Sequence, residues 1–205
     1  MTDSARSLER DLFASISMSP IATVITNPRL DDNPVVAAND AFCALTGYDR
    51  SEIIGRNCRF LAGPTTEPHL TERIRAAIRS PSASLTELIN YRKDGTRFRN
   101  AVLIAPIMGG TGAPEWFLGS QVDVSGADDV PLVLRQQRAR ALVVALSPRQ
   151  RQVLGEMARG YRNKQIAWRL SISEKTVKMH RGLMLEKLGL SSSADAIRLA
   201  IEAGL

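Results

Sequence analysis

The stretch Gly55-Arg56-Asn57-Cys58-Arg59-Phe60-Leu61-Ala62 places a cysteine between an amide and a guanidinium, directly before an apolar pair. Taken alone, a single cysteine in an intracellular domain is usually a small buried hydrophobic residue. Cys43, the other cysteine of the chain, lies between apolar neighbours and fits that structural role. Two cysteines do not make a disulfide framework, and they fit a reducing cytoplasm.

The residues around Cys58 change this interpretation, because the octapeptide resembles the flavin-binding signature of LOV domains. These domains are the blue-light sensors of the PAS superfamily, and their usual signature is Gly-x-Asn-Cys-Arg-Phe-Leu-Gln. Seven of the eight positions match, and Ala62 stands where the family usually has glutamine. The resemblance implies an FMN cofactor and a reversible light-driven bond from Cys58 to the flavin C4a atom. Ala62 leaves the choice between FMN and FAD open.

The same resemblance gives roles to the neighbours of Cys58. Arg59 offers a fixed fork of donors suited to the flavin phosphate, and Asn57 offers both a donor and an acceptor. Helix 67–79 carries Arg75, which matches a second phosphate-binding arginine by its distance from the signature, although a surface arginine is usually only solvated. The remaining cofactor-binding residues that the resemblance implies are Thr26, Asn33, Asn90, Asn100, Phe117 and Gln121.

Two of these residues lie on a predicted hairpin, whose strands 85–92 and 97–106 flank an Asp94-Gly95 turn. We predict a three-residue loop that pairs residue 93 with 97, and therefore Asn90 with Asn100, because a two-residue loop puts these amides on opposite faces. The predicted register aligns one face formed by Leu88, Asn90, Phe98, Asn100, Val102 and Ile104. Buried amides need hydrogen-bond partners, either the backbone or a ligand. Both amides match flavin-ring contacts of LOV domains, which favours the ligand.

The last predicted strand, 116–124, places Phe117, Gly119 and Gln121 on one face by its period of two. Gln121 matches the family's glutamine near flavin N5. Its amide can donate or accept by rotating, so a proton that arrives at N5 reverses its preferred orientation. The resemblance therefore implies a local hydrogen-bond switch on a sheet strand.

Composition bounds the remaining possibilities. The 205 residues suit one large domain or two small ones, and 44% hydrophobic with 23% charged residues is ordinary for a globular protein. No run approaches the length of a membrane span, and acidic residues occur early, so we expect no secretory peptide and no membrane association. No nicotinamide-binding glycine motif and no kinase or nuclease motif is found, so we expect no enzymatic activity.

The net charge of +6 is concentrated near the carboxyl end. Residues 134–205 contain 14 Lys+Arg against 5 Asp+Glu, whereas the rest of the chain contains 13 against 16. This asymmetry favours a polyanion-binding module attached to a near-neutral domain. We predict a cap helix within 1–17, a sensor domain at 18–125, a linker helix within 126–145 and a DNA-binding domain at 146–205.

The basic region has the pattern of a helix-turn-helix. Ser147 and Pro148 begin a helix, and a short helix follows from Asn163. A capping box over Ser171-Ile172-Ser173-Glu174 opens a longer helix from about Ser173 to Leu188. A fourth helix is predicted at 193–203. Trp168 is predicted to pack inside this domain.

Residues 146–205 resemble the LuxR/NarL class of DNA-binding domains in both motifs and spacing. The resemblance implies that Lys178 and Met179 face bases in the major groove. It implies phosphate contacts for Lys164, Lys175, Thr176 and Arg181. Gly182 stands where some members carry a base-contacting side chain, so we expect fewer direct contacts to bases here.

The expected fold is α+β, a PAS/LOV domain with a five-stranded antiparallel sheet, followed by an all-α domain of four helices. The two resemblances imply a cytoplasmic transcription factor that is regulated by blue light. A dark monomer would hide its dimerisation surface, the fourth helix, against the sheet, and light would release a homodimer that binds double-stranded DNA. A PAS-type redox or ligand sensor without photochemistry, a flavoenzyme and a constitutive DNA-binding protein are the alternatives.

Overall fold

The computed structural model of the chain describes residues 12–126 and 132–205. Residues 12–17 are helical and form α1. Most of the predicted amino-terminal cap helix lies outside the described residues, and so do residues 127–131 of the predicted linker region.

Five strands form a single antiparallel sheet, as predicted. They are β1 (Ala22–Thr26), β2 (Val35–Ala38), β3 (Ser84–Tyr91), β4 (Arg97–Met108) and β5 (Pro114–Asp123), in the spatial order β2-β1-β5-β4-β3. The amino-terminal strand β1 therefore pairs with both β2 and the last strand β5, which places β5 at the centre of the sheet.

Short helices between β2 and β3 cover one face of this sheet. They are α2 (Asp40–Thr46), α3 (Arg50–Ile53), a 3-10 helix (Cys58–Leu61) and α4 (Pro68–Arg79). Asn39 caps α2 by accepting from the Phe42 amide. The cap of α3 is Asp49, in a capping box with Glu52. Because the signature cysteine begins the 3-10 helix, its side chain has a fixed position above the sheet.

The β3–β4 hairpin has a three-residue loop, but the predicted pairing is wrong by one loop position. The Arg92 amide donates to the Thr96 carbonyl at 2.8 Å, so the loop is 93–95 and Gly95 ends it at φ +82°. Asn90 therefore pairs with Phe98, and Asn100 pairs with Leu88. The shift leaves the side-chain alternation unchanged, so both amides still lie on the predicted face.

Five helices form the carboxyl-terminal part. They are α5 (Leu132–Val144), α6 (Pro148–Ala158), α7 (Asn163–Arg169), α8 (Glu174–Leu188) and α9 (Ser193–Ala203). Ser147 caps α6 as predicted. The cap of α8 is Ser173, which accepts from the Thr176 amide, and not the predicted capping box of Ser171 and Glu174. Gly189 ends α8 in the left-handed region. The four helices α6–α9 enclose a core that includes Val153, Leu154, Ile166, Val177 and Met184.

The second face of the sheet is covered by α9. Ala194, Ile197 and Ile201 of this helix share an apolar cluster with Leu103 and Leu118 of the sheet. An antiparallel sheet commonly leaves one face to solvent, but in β5 the six residues from Trp116 to Gln121 are all buried. The central strand is therefore buried on both faces, one toward the helices α2–α4 and one toward α9.

Among the described residues, no helix is both long enough and apolar enough to cross a membrane.

Candidate functional site

A cavity of about 160 Å³ lies between the sheet and the helices of its first face. Nine of the ten residues predicted to bind the cofactor line it: Thr26, Asn33, Asn57, Cys58, Arg59, Arg75, Asn90, Phe117 and Gln121. The tenth, Asn100, lies directly behind two of them. Because β1 pairs with β5, the cavity is bordered by both Thr26 and Gln121, which are 95 positions apart in the sequence.

The deep end of the cavity is a cluster of three amides. Asn90, Asn100 and Gln121 are all buried, and Asn100 has no exposed surface. Asn100 Nδ2 donates to Asn90 Oδ1 at 2.8 Å and to Gln121 Oε1 at 3.0 Å. The amides are thus linked across β3, β4 and β5, although Asn90 and Asn100 are not direct partners in the ladder. Asn100 Oδ1 accepts no hydrogen bond from the described residues.

Cys58 lies on the wall opposite the sheet, at the first residue of the 3-10 helix. The Asn57 side chain caps this turn by accepting from the Arg59 amide at 3.0 Å, which orients the thiol. Cys58 keeps some accessible surface because it borders the cavity, but apolar neighbours surround it. Burial raises the pKa of the Cys58 thiol to about 12. The sulfur therefore carries its proton at neutral pH.

Two half-exposed guanidiniums mark the open end of the cavity. Arg59 forms an ion pair with Asp32, and Arg75 lies 3.5 Å from Glu72. The hydrogen bond from Arg59 lowers the pKa of Asp32, so this carboxylate stays ionised. An anionic group at this end would meet two cations whose present partners are exposed and weakly held.

Asn33 offers a second unpaired acceptor. Its backbone, like that of Asp32, lies in the left-handed region at φ +47°, which asparagine tolerates better than most residues. The buried Asn33 Oδ1 has no partner among the described residues. The cavity fits a ligand that has a polar aromatic edge and an anionic tail. It offers two unpaired amide oxygens and a deep amide cluster to the polar edge, the ring of Phe117 to the aromatic part, and two arginines at its open end to the anionic tail. A flavin nucleotide has this chemistry.

The sequence reasoning missed two hydroxyl side chains of the cavity, Thr66 and Thr71. Thr66 Oγ1 donates to the Ile89 carbonyl at 2.7 Å and accepts from the Gly63 amide, so it fixes the loop before α4 to β3. The only sequence signal was their position after the signature, Thr66 in the loop before α4 and Thr71 in the first turns of α4. Ala62 also lines the cavity, with no polar atom in its side chain.

Most of the predicted DNA-contacting residues are exposed on α7 and α8. Lys164, Lys175, Lys178 and Met179 are exposed, and Thr176 is half-buried. Thr176 Oγ1 lies 2.8 Å from Ser173 Oγ at the start of α8. A long basic helix that begins with a capped turn and carries lysines on an open face has the geometry to enter a major groove.

Arg181 forms contacts within the protein, and Trp168 differs from expectation. The Arg181 guanidinium donates to Asn163 Oδ1 and to Ser193 Oγ, so here it ties α8 to α7 and α9. Burial lowers the pKa of this guanidinium. Trp168 is 81% exposed, so the prediction that it packs inside the domain is wrong. It follows Lys164 by one turn on α7, and the apolar side of α7 is formed by Ile166 and Ala167 instead.

A second set of contacts joins the α6–α7 turn to the β4–β5 hairpin. The Met108 amide donates to the Gly160 carbonyl at 2.9 Å, and Gln165 Nε2 donates to the Gly109 carbonyl at 2.8 Å. Arg162 forms an ion pair with Glu115. Beside these contacts, a cleft of about 470 Å³ runs between α1 and the last helices, and Lys164, Lys178 and Arg181 line it.

No group of three or more His, Cys, Asp or Glu side chains that could hold a metal ion occurs in residues 12–126 and 132–205.

Comparisons with known proteins agree with this arrangement. The family model of the PAS domain matches residues 20–126, and the model described as bacterial regulatory proteins, luxR family, matches residues 144–200. A blue-light-activated histidine kinase of Brucella anthropi is 44% identical over 112 residues, which cover 55% of this chain and 23% of that protein. Phototropin-2 of Oryza sativa is 42% identical over 120 residues, 58% of this chain and 13% of that protein. The chain thus spans less than a quarter of either relative.

Solved structures show the same relationship. The light-state LOV domain of the blue-light photoreceptor Aureochrome1 is 39% identical, covers 58% of this chain and 91% of its own, and has a TM-score of 0.51. A LOV protein of Rhodobacter sphaeroides, at 23% identity, covers 97% of this chain and 93% of its own with a TM-score of 0.62, which shows a shared fold. The chain therefore belongs to the PAS domain family, with a LOV-type domain over residues 20–126, and it carries a LuxR-type helix-turn-helix region over residues 144–200.

Proposed function

We propose that this protein is a transcription regulator that binds DNA under the control of blue light, with FMN as its chromophore and no enzymatic activity of its own. One observation carries the proposal: the central strand β5 is shared by the two halves of the molecule. Phe117, Gly119 and Gln121 of this strand line the cavity. On its other face, Leu118 packs in the apolar cluster with α9, and Ser120 Oγ accepts from Arg198 of α9. A conformational change at the cavity can therefore reach the DNA-binding domain through this single strand.

The cavity residues divide the work of holding the chromophore. Arg59 and Arg75 would bind the phosphate, and Thr26, Asn33 and Asn57 would bind the ribityl chain. Asn90, Asn100 and Gln121 would bind the polar ring edge, where the unpaired Asn100 Oδ1 gains a donor. Phe117 would pack on the ring. The two arginines at the mouth suit a terminal phosphate such as that of FMN, and Ala62 adds no polar contact.

A bound flavin supplies blue-light absorption and an excited carbon to which a thiol can add. Cys58 provides that thiol, and its raised pKa keeps the proton on sulfur until light arrives. Gln121 then rotates its amide, and its present bond from Asn100 Nδ2 is exchanged for another. The change on the cavity face of β5 weakens the packing of α9 on the opposite face.

In this structure α9 is unavailable to a second copy, because its apolar residues are buried against the sheet. We infer that the dark protein is a monomer and that light exposes α9 for homodimerisation. Lys164 and Lys178 are exposed, but they also line the cleft beside α1, so separation of the domains would leave more room for a duplex around them. We infer a cytoplasmic location, because the region similar to bacterial regulatory proteins of the luxR family would meet DNA there.

Absorbance spectra of the purified protein before and after blue light test this proposal. The wild type is expected to bleach near a flavin's blue band at about 450 nm and to recover in the dark. Cys58→Ala is expected to retain the colour and lose the bleaching. DNA binding, measured by gel shift with the same samples, should increase on illumination in the wild type only.

Other outcomes would assign a different function. A coloured protein that never bleaches, with DNA binding that follows the flavin redox state, would indicate a redox sensor. Equal DNA affinity in light and dark would indicate a constitutive DNA-binding protein. Bleaching that survives Cys58→Ala would exclude Cys58 as the reacting thiol.

A further inference from the structure

Arg198 is a buried cation at the contact between the two domains. It lies on α9, on the side that faces the sheet, and is only 5% exposed. Arginine is rarely buried unless its donors are paired. Here the pairing is shared between the helix and the sheet, because Nε donates to Glu202 Oε1 of α9 at 2.9 Å while Nη1 points to β4 and β5.

The sheet atoms that Arg198 contacts adjoin the amide cluster of the cavity. Arg198 Nη1 lies 3.0 Å from Ser120 Oγ, 3.5 Å from the Ser120 carbonyl and 3.4 Å from the Ala101 carbonyl. Ser120 precedes Gln121, and Ala101 follows Asn100. Because side chains alternate along a strand, the linked amides and the guanidinium lie on opposite faces of the same two strand segments.

The surroundings of Arg198 make this contact sensitive to small displacements. Burial lowers the pKa of its guanidinium, and Arg135 opposes its charge while Glu87 and Glu202 favour it. Arg135 itself pairs with Glu87 of β3, so a four-charge group joins α5, α9 and the sheet. A buried charge tolerates the loss of even one acceptor poorly, since the desolvation cost remains when the partner moves away.

We propose that Arg198 is the positioning residue that reports the state of the Asn100–Gln121 amide pair to the DNA-binding domain. In the dark the guanidinium holds α9 on the backbone of β4 and β5. Rotation of Gln121 shifts the Ser120 and Ala101 acceptors, Arg198 loses its sheet partners, and hydration of the released guanidinium favours separation of the domains. The inference rests on the proposed light-regulated function and names the residue that links its two sites.

Arg198→Gln, compared with Arg138→Gln, tests the proposal in the full-length flavin-loaded protein. Arg138 is an exposed arginine of α5, so its substitution removes the same charge away from the sheet. We expect Arg198→Gln to raise DNA affinity in the dark by at least about fivefold and to leave photobleaching unchanged. Arg138→Gln should retain the dark affinity of the wild type apart from a small uniform loss of phosphate attraction.

A double-substitution cycle separates signalling from simple support of the fold. Ser120→Ala removes one acceptor, and Arg198→Lys keeps the charge without the forked geometry. Their effects on DNA affinity should be non-additive in the dark and additive under light, because the contact exists only in the docked state. Additive effects in the dark, or an Arg198→Gln protein with the wild-type ratio of light to dark affinity, would overturn the proposal.

The failure of the proposed function has a different outcome. If wild-type DNA affinity does not change with light, the photoreceptor proposal fails. Small-angle scattering of the dark proteins then still tests the contact itself. An Arg198→Gln protein as compact as Arg138→Gln would show that Arg198 does not hold the domains together. An expanded Arg198→Gln protein would show that Arg198 docks the domains even though no light signal passes through it.

Discussion

Asn100 Nδ2 lies 3.0 Å from Gln121 Oε1, so one hydrogen bond joins β4 to β5 on the cavity side of the sheet. Gln121→Leu removes this acceptor while keeping the volume of the side chain. We expect the variant to bind flavin and to bleach in blue light. Its light-induced gain in DNA affinity should fall by at least about fivefold, because no amide is left to rotate.

The matched control for that experiment is Gln137→Leu, at an exposed position on α5. It should respond to light as the wild type does. A Gln121→Leu protein with the full light response would place the signal elsewhere in the cavity.

The Cys58 thiol gives a prediction in the alkaline range. Its pKa is about 12 in the folded protein against 9.0 for an ordinary thiol. Between these values the unfolded chain has lost the proton that the folded protein keeps, so the free energy of unfolding falls as pH rises from about 9 toward 12. In a Cys43→Ser background, dark alkylation of the folded protein should stay slow at pH 10 and become fast in urea. Rapid alkylation of the folded protein at pH 9 would contradict the burial of this thiol.

The Gly160 contact predicts a variant that is released in the dark. Gly160 has φ +84°, and an added Cβ would lie 2.1 Å from the Pro106 carbonyl oxygen of β4. Gly160→Ala should therefore separate the α6–α7 turn from the sheet and raise dark DNA affinity by about fivefold or more. Gly189→Ala is the control, because Gly189 also has positive φ but has no atom within 4 Å of the added Cβ. Both variants carry a backbone cost of about 1 kcal/mol. Equal dark affinities of the two would mean that strain, not the clash, decides the result.

The Glu115–Arg162 ion pair predicts that docking depends on charge complementarity. Glu115→Arg puts two guanidiniums together at a partly buried position, which opposes docking. The dark protein should become less compact in small-angle scattering. Adding Arg162→Glu should restore the compact form, because it restores opposite charges. A double variant that remains expanded would argue that hydrogen bonds at Gly109 and Gly160 dominate this contact.

The lysines of α7 and α8 predict the salt dependence of DNA binding. For the illuminated protein on a selected site, Lys164→Ala should lower the slope of log affinity against log salt by about one, because one phosphate contact is lost. Met179→Ala should leave that slope unchanged and relax sequence preference. Lys187→Ala, in the last turn of α8, serves as the control for loss of charge. A wild-type slope for Lys164→Ala would exclude its phosphate contact.

The sequence predicted the faces of the sheet better than it predicted the pairing of its strands. Asn90 and Asn100 lie on the predicted face because alternation survives any even shift in register. The loop was misplaced by one residue, although its glycine held the information: a three-residue loop needs a left-handed residue at its end, and Gly95 fills that position.

The sequence contains no pattern that predicts the contact between the domains. In the sequence, Arg198 looks like an ordinary surface charge on a helix that also carries Asp195 and Glu202. Its acceptors include two backbone carbonyls, which any residue would supply. The prediction for Trp168 was wrong because it used residue type alone, which favours burial for tryptophan. Only the packing of α7 shows which side of the helix faces outward. Long-range docking depends on shapes that form only after both domains have folded.

The burial of β5 on both faces has a practical consequence for anyone who builds chimaeras from this scaffold. Grafting the cavity-lining residues onto another PAS core would transfer detection but not response, since the output is read from the alternate positions Trp116, Leu118 and Ser120. A functional transplant has to carry the strand whole, together with the helix that rests against its outer surface.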